Sequence, residues 1–192
     1  ALAGFYAALV LASSLGYVLV AHVATLDMGV TFFMTLTMAG LLLGLRTDGT
    51  PAARRLWIHV AWAAMALAAL SKGLMGVVLP VMVLGAYVVL QRDFGLLRRM
   101  HILTGSLVLL AIAAPWFVAV SLANPEFFDF FFIHEHFQRF LTKAHRRPGP
   151  WWYFFPILAL TILPWLFTLG AALPASWKRR GSPTAFQPLR LL

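Results

Sequence analysis

The amino-acid sequence predicts an all-α polytopic membrane protein with about six transmembrane helices and one outward-facing amphipathic helix in the interface. The first observation is composition: 61% of the 192 residues are hydrophobic and 11% are charged, whereas soluble domains are roughly a quarter charged. The second is that the apolar residues form blocks approaching the width of a bilayer. The third is an alternation of strongly and weakly basic connections between those blocks.

Six apolar blocks come close to the roughly 20 residues that a transmembrane helix needs. The third and fourth blocks are short and are joined by Ser71, Lys72 and Gly73, which predicts a tight helical hairpin. The blocks together predict a single transmembrane domain over residues 1–192, with an outward loop and its interfacial helix at 123–152. The predicted spans are 3–24, 28–45, 55–71, 74–90, 103–122 and 153–174.

Lys and Arg in the connections predict the orientation of the spans. One set of connections carries ten basic and two acidic residues, a net charge of +8, and the opposite set carries five basic and four acidic residues, a net charge of +1. These two values account for the total charge of +9. Cytoplasmic loops carry the excess of basic residues, so Asp27, Lys72 and the loop at 123–152 are expected to face outward.

Two classes of interaction are excluded by the same composition. A net charge of +9 would suit a nucleic-acid partner only if the basic residues were gathered on one soluble face, and here they fall between apolar blocks. The chain has no cysteine, which excludes disulfides and thiolate metal sites. Membrane lipids, and not nucleic acid, are the expected surroundings.

Asp27 is a candidate catalytic residue at the boundary between the first two spans. Aspartate is common where a helix starts, so one interpretation is a capping residue of the second span. The other is a carboxylate at the mouth of an outward cavity that acts as a base or orients a ligand. The two roles are compatible.

Lys72 is a candidate substrate-binding residue at the outer tip of the hairpin. A lysine at this depth can extend its ammonium group to water while its stem stays in lipid. It can equally hold the phosphate of a lipid, and the adjacent Gly73 would permit close approach of backbone or substrate.

The segment around HEHFQRF predicts the interfacial helix. At 100° per residue its side chains divide into an aromatic and aliphatic face and a polar face, the polar face carrying Glu135, His136, Arg139 and Lys143. Glu135 and Arg139 are four residues apart and could form a simple ion pair. The same face would also suit a phosphate-linked substrate, or a metal bound by histidine and glutamate. The basic loop that follows, with Arg146 and Arg147, suits anionic headgroups.

Several blocks of this chain resemble the bacterial branch of glycosyltransferase family 39, which includes undecaprenyl-phosphate aminoarabinose:lipid A transferases and is related to protein O-mannosyltransferases. The specific part is NPEFFDFFFIHEHFQRFL with its sequel PWWYFFPILALTILPW, and two further blocks in the same order are TLDMGVTFFMTL and LSKGLMGVVLP. The resemblance covers most of the chain.

The resemblance implies a GT-C membrane enzyme in the bacterial inner membrane, working on the periplasmic side with a polyprenyl-phosphate-linked sugar donor and a lipid or protein acceptor. Asp27 matches the aspartate of the family's second outward loop, and Lys72 matches the lysine of its Lys-Gly block. His136 matches a histidine that helps to bind zinc in the family, and Arg139 matches the arginine of the same motif. The implied cofactor is therefore a divalent metal, zinc.

One departure from the family concerns its principal catalytic aspartate, which lies in a first outward loop near the N-terminus. We expect this chain to be a central fragment that starts after that loop and stops before the family's C-terminal region. On this interpretation the fragment lacks the main catalytic base and is expected to be inactive alone.

The rival function class is a transporter or flippase for a lipid-linked or anionic solute. It predicts ionisable groups along a path inside the spans, and unwound helices near the midplane. In this sequence the ionisable residues gather at the outer boundary, and His59 is the only clear candidate inside a span. A scaffold without chemistry would not need the polar face of the interfacial helix, so the sequence favours the enzyme.

Overall fold

The computed structural model describes residues 2–23, 27–127, 129–131, 150 and 152–177. Regular structure in these residues is helical, which confirms the predicted fold class. The helices are α1 (Leu2–Ser13), α2 (Leu15–Ala21), α3 (Asp27–Leu45), α4 (Pro51–Lys72), α5 (Met75–Gln91), α6 (Leu96–Arg99), α7 (Ile102–Ala123), α8 (Phe154–Ile162) and α9 (Leu166–Trp177).

The chain divides into two compact units. The first comprises residues 1–28 and 146–179, and the second comprises residues 29–145 and 180–192. The first unit therefore holds α1, α2, α8 and α9, whereas α4 to α7 and most of α3 belong to the second.

In the second unit, α3 and α4 pack closely because small residues line their contact. A Cβ added at Gly40 would lie 2.8 Å from the carbonyl oxygen of Trp57, and one added at Gly44 would lie 2.7 Å from Cδ1 of Ile58. Gly40 also lies against Ala61 and Gly44 against Arg54, so the later residue of α3 meets the earlier residue of α4 and the two helices are antiparallel. Small residues of this kind let membrane helices approach each other, because lipid supplies little hydrophobic drive for association.

The hairpin predicted between the third and fourth spans is present as α4 and α5. Gly73 closes α4 at a φ of 77°, a left-handed conformation that glycine adopts at little cost. The Gly73 amide donates to the Ala69 carbonyl at 2.8 Å. Gly76 then lies against α4, where an added Cβ would be 2.5 Å from the backbone of Ala68. The turn and the glycine contact together explain why the hairpin is tight.

One end of the second unit has a continuous apolar core. It is formed where α3 ends, α4 begins and α5 ends, and its buried residues are Leu41, Leu45, Ile58, Ala61, Leu84, Tyr87, Val88, Leu96 and Met100. Trp62 joins α7 to this core, because its indole Nε1 donates to the Met100 carbonyl at 3.0 Å. The indole lies against Gly105 of α7, where a Cβ would overlap the ring.

The structure shows a break inside each of the predicted first and sixth spans. The predicted span 3–24 is broken into α1 and α2, which meet at 67°, and the predicted span 153–174 is broken into α8 and α9, which meet at 101°. At the first break, the hydroxyl groups of Ser13 and Ser14 turn back to carbonyls of the preceding turn. Serine side chains that bond the backbone compete with helix propagation.

Length and apolarity also differ among the predicted spans. Within the described residues, α3 and α7 are long and apolar enough to cross a membrane alone, and the count rises to four if each bent pair forms one span. The helix α5 is apolar but has only 17 residues. The helix α4 has 22 residues, but its first half includes Arg54, Arg55 and His59. The six predicted spans correspond to the bent pair α1–α2, to α3, α4, α5 and α7, and to the bent pair α8–α9.

Candidate functional site

Lys72 is the last residue of α4, and its side chain is exposed at the turn into α5. This confirms its predicted place at the tip of the hairpin. A lysine in the last helical turn interacts favourably with the partial negative charge of the helix C-terminus. The left-handed Gly73 turn directly after it positions the ammonium group at one end of the second unit.

The structure gives Gly73 a role in the backbone turn, beside the close approach that the sequence predicts for it. Its residue is buried, and its φ of 77° is needed to close α4. The glycine is therefore required by the backbone turn itself. Lys72, and not Gly73, offers the exposed group at this tip.

Asp27 is the first residue of α3 and is half-buried. This position agrees with its prediction as a helix-starting residue. A carboxylate in the first turn is stabilised by the partial positive charge of the helix N-terminus. Asp27 belongs to the first unit, whereas Lys72 belongs to the second.

The four predicted residues of the interfacial helix, Glu135, His136, Arg139 and Lys143, lie outside the described residues. The beginning of their loop is described up to Phe131. There the rings of Phe127 and Phe131 stack with centroids 5.2 Å apart, and Phe131 lies 5.5 Å from Phe117 of α7. Aromatic contacts thus hold the first part of this loop to α7.

The predicted zinc site cannot be built from the described residues alone. Among residues 2–23, 27–127, 129–131, 150 and 152–177, no three His, Asp or Glu side chains come together. The two predicted ligand types of the motif, Glu135 and His136, lie in the segment that is not described. Zinc therefore stays a prediction.

His59 connects two helices at the end of the second unit opposite to Lys72. Its Nδ1 lies 2.8 Å from the Arg55 carbonyl and its Nε2 lies 3.0 Å from Oγ1 of Thr104 on α7. Since a carbonyl only accepts, Nδ1 carries a hydrogen and donates it. Both ring nitrogens are thus engaged, which makes His59 a link between α4 and α7.

Sequence reasoning missed one cluster at the same end. Two arginine pairs line a cavity of about 290 Å³, namely Arg54 with Arg55 and Arg98 with Arg99. In the sequence these pairs served only to assign topology. Two adjacent basic pairs at neighbouring connections were the available signal, but their convergence depends on how α4 and α6 pack.

The connection between α3 and α4 holds a solvent-exposed ion pair. The Nε of Arg46 donates to Oδ1 of Asp48 at 2.9 Å, and Nη2 of Arg46 donates to the second carboxylate oxygen. These hydrogen bonds lower the pKa of Asp48 below its ordinary value and raise the pKa of Arg46 above its own. The pair neutralises part of this basic connection.

Comparison with protein families matches part of the chain to a known family. The family model described as dolichyl-phosphate-mannose-protein mannosyltransferase matches residues 1–131.

Two curated relatives are named undecaprenyl phosphate-alpha-4-amino-4-deoxy-L-arabinose arabinosyl transferases. The relative from Pseudomonas fluorescens is 33% identical over 168 residues, which is 85% of this chain and 28% of the relative. The relative from Pseudomonas aeruginosa is 35% identical over 173 residues, which is 88% of this chain and 31% of the relative. The chain therefore spans less than a third of the length of these relatives.

Two solved structures resemble the chain. The crystal structure of ArnT from Cupriavidus metallidurans bound to undecaprenyl phosphate has a TM-score of 0.88 and 40% sequence identity, and the match covers 95% of this chain and 32% of that one. The structure of the same protein in the apo state has a TM-score of 0.77 and 36% identity, over 93% of this chain and 36% of that one.

Proposed function

The chain belongs to the dolichyl-phosphate-mannose-protein mannosyltransferase family, and from that premise we propose that it is part of a membrane glycosyltransferase. The enzyme moves a sugar from a polyprenyl-phosphate donor to a periplasmic acceptor, either a lipid such as lipid A or a protein. The observation that carries this proposal is the likeness to ArnT over 95% of the chain, in a crystal structure of ArnT bound to undecaprenyl phosphate. The names of the curated relatives suggest aminoarabinose as the sugar.

The reaction is a displacement at the anomeric carbon of the sugar. A bond forms between an oxygen of the acceptor and this carbon, and the bond from the carbon to the donor phosphate oxygen breaks. The polyprenyl phosphate leaves with the electron pair, and the acceptor proton passes to a base. Because a phosphate monoester is already a good leaving group, the enzyme has to stabilise its charge rather than protonate it.

Lys72 is the described residue best suited to hold the donor phosphate. Its ammonium group is exposed at the tip of the α4–α5 hairpin, at the end of the second unit that the charge bias of the sequence directs outward. Ammonium groups bind phosphate oxygens through charge-assisted hydrogen bonds. Arg139 and Lys143 are proposed to add further cations from the loop, and Glu135 to orient the donor or one of these cations.

Asp27 is proposed as a catalytic carboxylate that accepts or directs the acceptor proton. Its position at the start of α3 places the carboxylate beside the partial positive charge of the helix N-terminus. An ionised carboxylate is the form that a general base requires. His136 is proposed as a ligand of a divalent metal, which would supply Lewis-acid stabilisation of phosphate charge when bound.

The transporter remains a distinct function class, and one of its predicted features is present. The spans α1–α2 and α8–α9 are broken, as a transporter predicts. The polar backbone groups of the two breaks, however, pair with each other: the Leu15 amide at the first break donates to the Leu163 carbonyl at the second, at 2.9 Å. Residues Ser13 to Leu15 and Leu163 to Trp165 include no ionisable side chain, whereas a transport path for an anion needs one. This arrangement favours the transferase.

The test is turnover of a labelled donor by the full-length protein in membranes. Polyprenyl-phosphate sugar labelled in the sugar is supplied, and transfer of the label to lipid or protein is measured. Loss of transfer in Asp27→Ala and in Arg139→Ala, with insertion unchanged, supports the proposal. Arg92→Ala removes a cation at the opposite end of the second unit and serves as the control that keeps wild-type transfer.

Unaltered turnover in both the Asp27 and the Arg139 variants would overturn the site assignment. Movement of intact donor across the membrane without transfer of its sugar would overturn the transferase itself and establish the transporter.

A further inference from the structure

A cationic cavity lies in the second unit, at the end of α4 opposite to the proposed donor site. Its volume is about 290 Å³, and it is lined by Arg54 and Arg55 at the start of α4, by Arg98 and Arg99 of α6, and by His101 before α7. The helix α4 rises by about 1.5 Å per residue. Its 22 residues therefore separate this cavity from Lys72 by roughly 30 Å.

The guanidinium groups around this cavity lack anionic partners within the described part of the chain. The Nε of Arg54 is buried and makes no hydrogen bond. The ion pair between Arg46 and Asp48 does not include any of the four lining arginines. A buried donor without an acceptor costs free energy, and four arginines around one small volume repel each other. An anion bound in the cavity offsets the repulsion among the four guanidinium groups.

The backbone adds to the positive potential of the cavity. Pro51, the first residue of α4, lines it, and His101 immediately precedes α7 with a φ of 47°. Both long helices therefore start at the cavity, and helix N-termini carry partial positive charge that favours anions. The potential of the side chains and that of the helices have the same sign.

An apolar surface adjoins the cations. A second cavity of about 500 Å³ shares Pro51 and Arg55 with the first and continues along Ala52, Leu56 and His59. The side chain of Leu56 is 62% exposed. An anion that carries a hydrocarbon chain could place its charge among the arginines and its chain along this surface, which a free phosphate ion would leave empty.

We propose that this cavity binds the phosphate of an anionic phospholipid from the cytoplasmic leaflet. The orientation follows from the Lys and Arg bias of the connections, which places this end of the helices in the cytoplasm. Basic pockets between helices on that side are suited to anionic headgroups. The site is separate from the proposed donor site, because it lies at the opposite end of α4.

The first measurement is lipid retention by the purified full-length protein in detergent. Phosphatidylglycerol and phosphatidylcholine with identical acyl chains are titrated separately, and the bound lipid is counted by native mass spectrometry. We expect phosphatidylglycerol to be retained and phosphatidylcholine not. Arg54→Gln, and separately Arg99→Gln, should weaken phosphatidylglycerol binding on the order of 10-fold each, the loss expected for one charge-assisted hydrogen bond. Because the Arg99 side chain is exposed, this second variant keeps the test valid if Arg54→Gln fails to fold.

Arg92→Gln is the matched control. Arg92 caps α5 at the same end of the unit and is exposed, but it does not line the cavity. If Arg92→Gln weakens binding as much as Arg54→Gln, the attraction is diffuse and the proposed site is wrong. If inorganic phosphate or glycerol phosphate displaces the lipid at equal concentration, the acyl chain adds nothing and the site is one for free phosphate, which also overturns the proposal. Donor turnover is not read in this test, so its outcome is independent of the proposed function.

Discussion

The backbone amide of Leu15 donates a hydrogen bond to the carbonyl of Leu163 at 2.9 Å. This bond joins the break between α1 and α2 to the break between α8 and α9. The indole Nε1 of Trp165 donates to Oγ of Ser13 at 2.9 Å and links the same two breaks. Polar backbone groups are costly in lipid unless they are paired, so each broken span is stabilised by the other.

The first prediction concerns the packing that brings these breaks together. Gly16 of α2 is buried against Thr161 of α8, where a Cβ would overlap the threonine side chain. We expect Gly16→Leu to separate the helices and destabilise the protein by about 1–3 kcal/mol, measured by thermal unfolding in detergent. Gly4→Leu is the matched control, because Gly4 in α1 has no atom within 4 Å of an added Cβ. Equal stability of the two variants would contradict the close packing of α2 and α8.

The second prediction concerns the contact of α4 with α7. Gly105→Ala would push the Trp62 indole away and break its bond to the Met100 carbonyl. We expect a loss of at least about 1 kcal/mol, the net value of one hydrogen bond. Gly85→Ala in α5 meets no neighbouring atom, and by removing a helix glycine it should leave stability equal or higher by up to about 1 kcal/mol. A Gly105→Ala protein that unfolds at or above the temperature of Gly85→Ala would refute the contact.

The third prediction concerns the pKa of Asp48. The hydrogen bonds from Arg46 lower this pKa, so Arg46→Gln should raise it towards the ordinary carboxylate value. Because the folded-state pKa is below the unfolded one, the pair stabilises the fold above the ordinary carboxylate pKa, and this contribution is lost as the pH falls through the lowered value. Carbon-13 NMR of labelled aspartate, followed against pH, measures the shift. High salt should reduce the lowering of the Asp48 pKa, since both Arg46 and Asp48 are exposed. An Asp48 pKa that is the same in the wild type and in Arg46→Gln would exclude the ion pair.

The fourth prediction concerns Lys72 and the donor phosphate. Lys72→Ala should weaken donor binding by roughly 10- to 150-fold, which corresponds to the loss of one hydrogen bond from a charged group. Lys72→Arg keeps the charge and should recover much of the affinity. Binding of undecaprenyl phosphate to the full-length protein gives the measurement. If Ala and Arg at this position bind the lipid equally well, Lys72 is only an interfacial lysine.

The fifth prediction separates the two interpretations of Asp27. Asp27→Asn keeps a side-chain oxygen at the start of α3 and removes the base, so transfer should fall by about 10²- to 10⁴-fold, the usual contribution of a general base. The unfolding temperature should change little, because the charge at a helix N-terminus is worth only about 0.3–1 kcal/mol. A variant with normal transfer and lowered stability would leave Asp27 as a structural residue alone.

The helices of the second unit could be predicted closely from sequence. The predicted spans 28–45, 74–90 and 103–122 differ from α3, α5 and α7 by at most one residue at each end, because each block is a continuous apolar run bounded by polar residues. The predicted span 55–71 lacks the first four residues of α4, which begins at Pro51 behind the cap of Thr50. There the hydroxyl oxygen of Thr50 accepts from the Ala53 amide at 3.2 Å, a signal that an apolarity pattern does not include.

The candidate site was predicted less completely than the fold. Lys72 and Asp27 could be assigned to helix ends, because a charged residue between two apolar blocks has to lie near the membrane boundary. The arrangement of Glu135, His136, Arg139 and Lys143 stays a prediction from the resemblance and from helical periodicity. The family match is consistent with the block around Lys72, which falls within the matched residues 1–131.

By itself the sequence determined the membrane class, the positions of the long helices and the bias of basic residues to one side, since these are properties of composition and order along the chain. Tertiary structure alone decided that the two breaks pair with each other, because the Leu15 amide bonds to the carbonyl of Leu163 near the far end of the chain. It also decided that Arg54 and Arg55 meet Arg98 and Arg99 around one cavity. Local patterns report the preference of each segment, whereas the pairing of distant polar groups depends on which helices pack side by side.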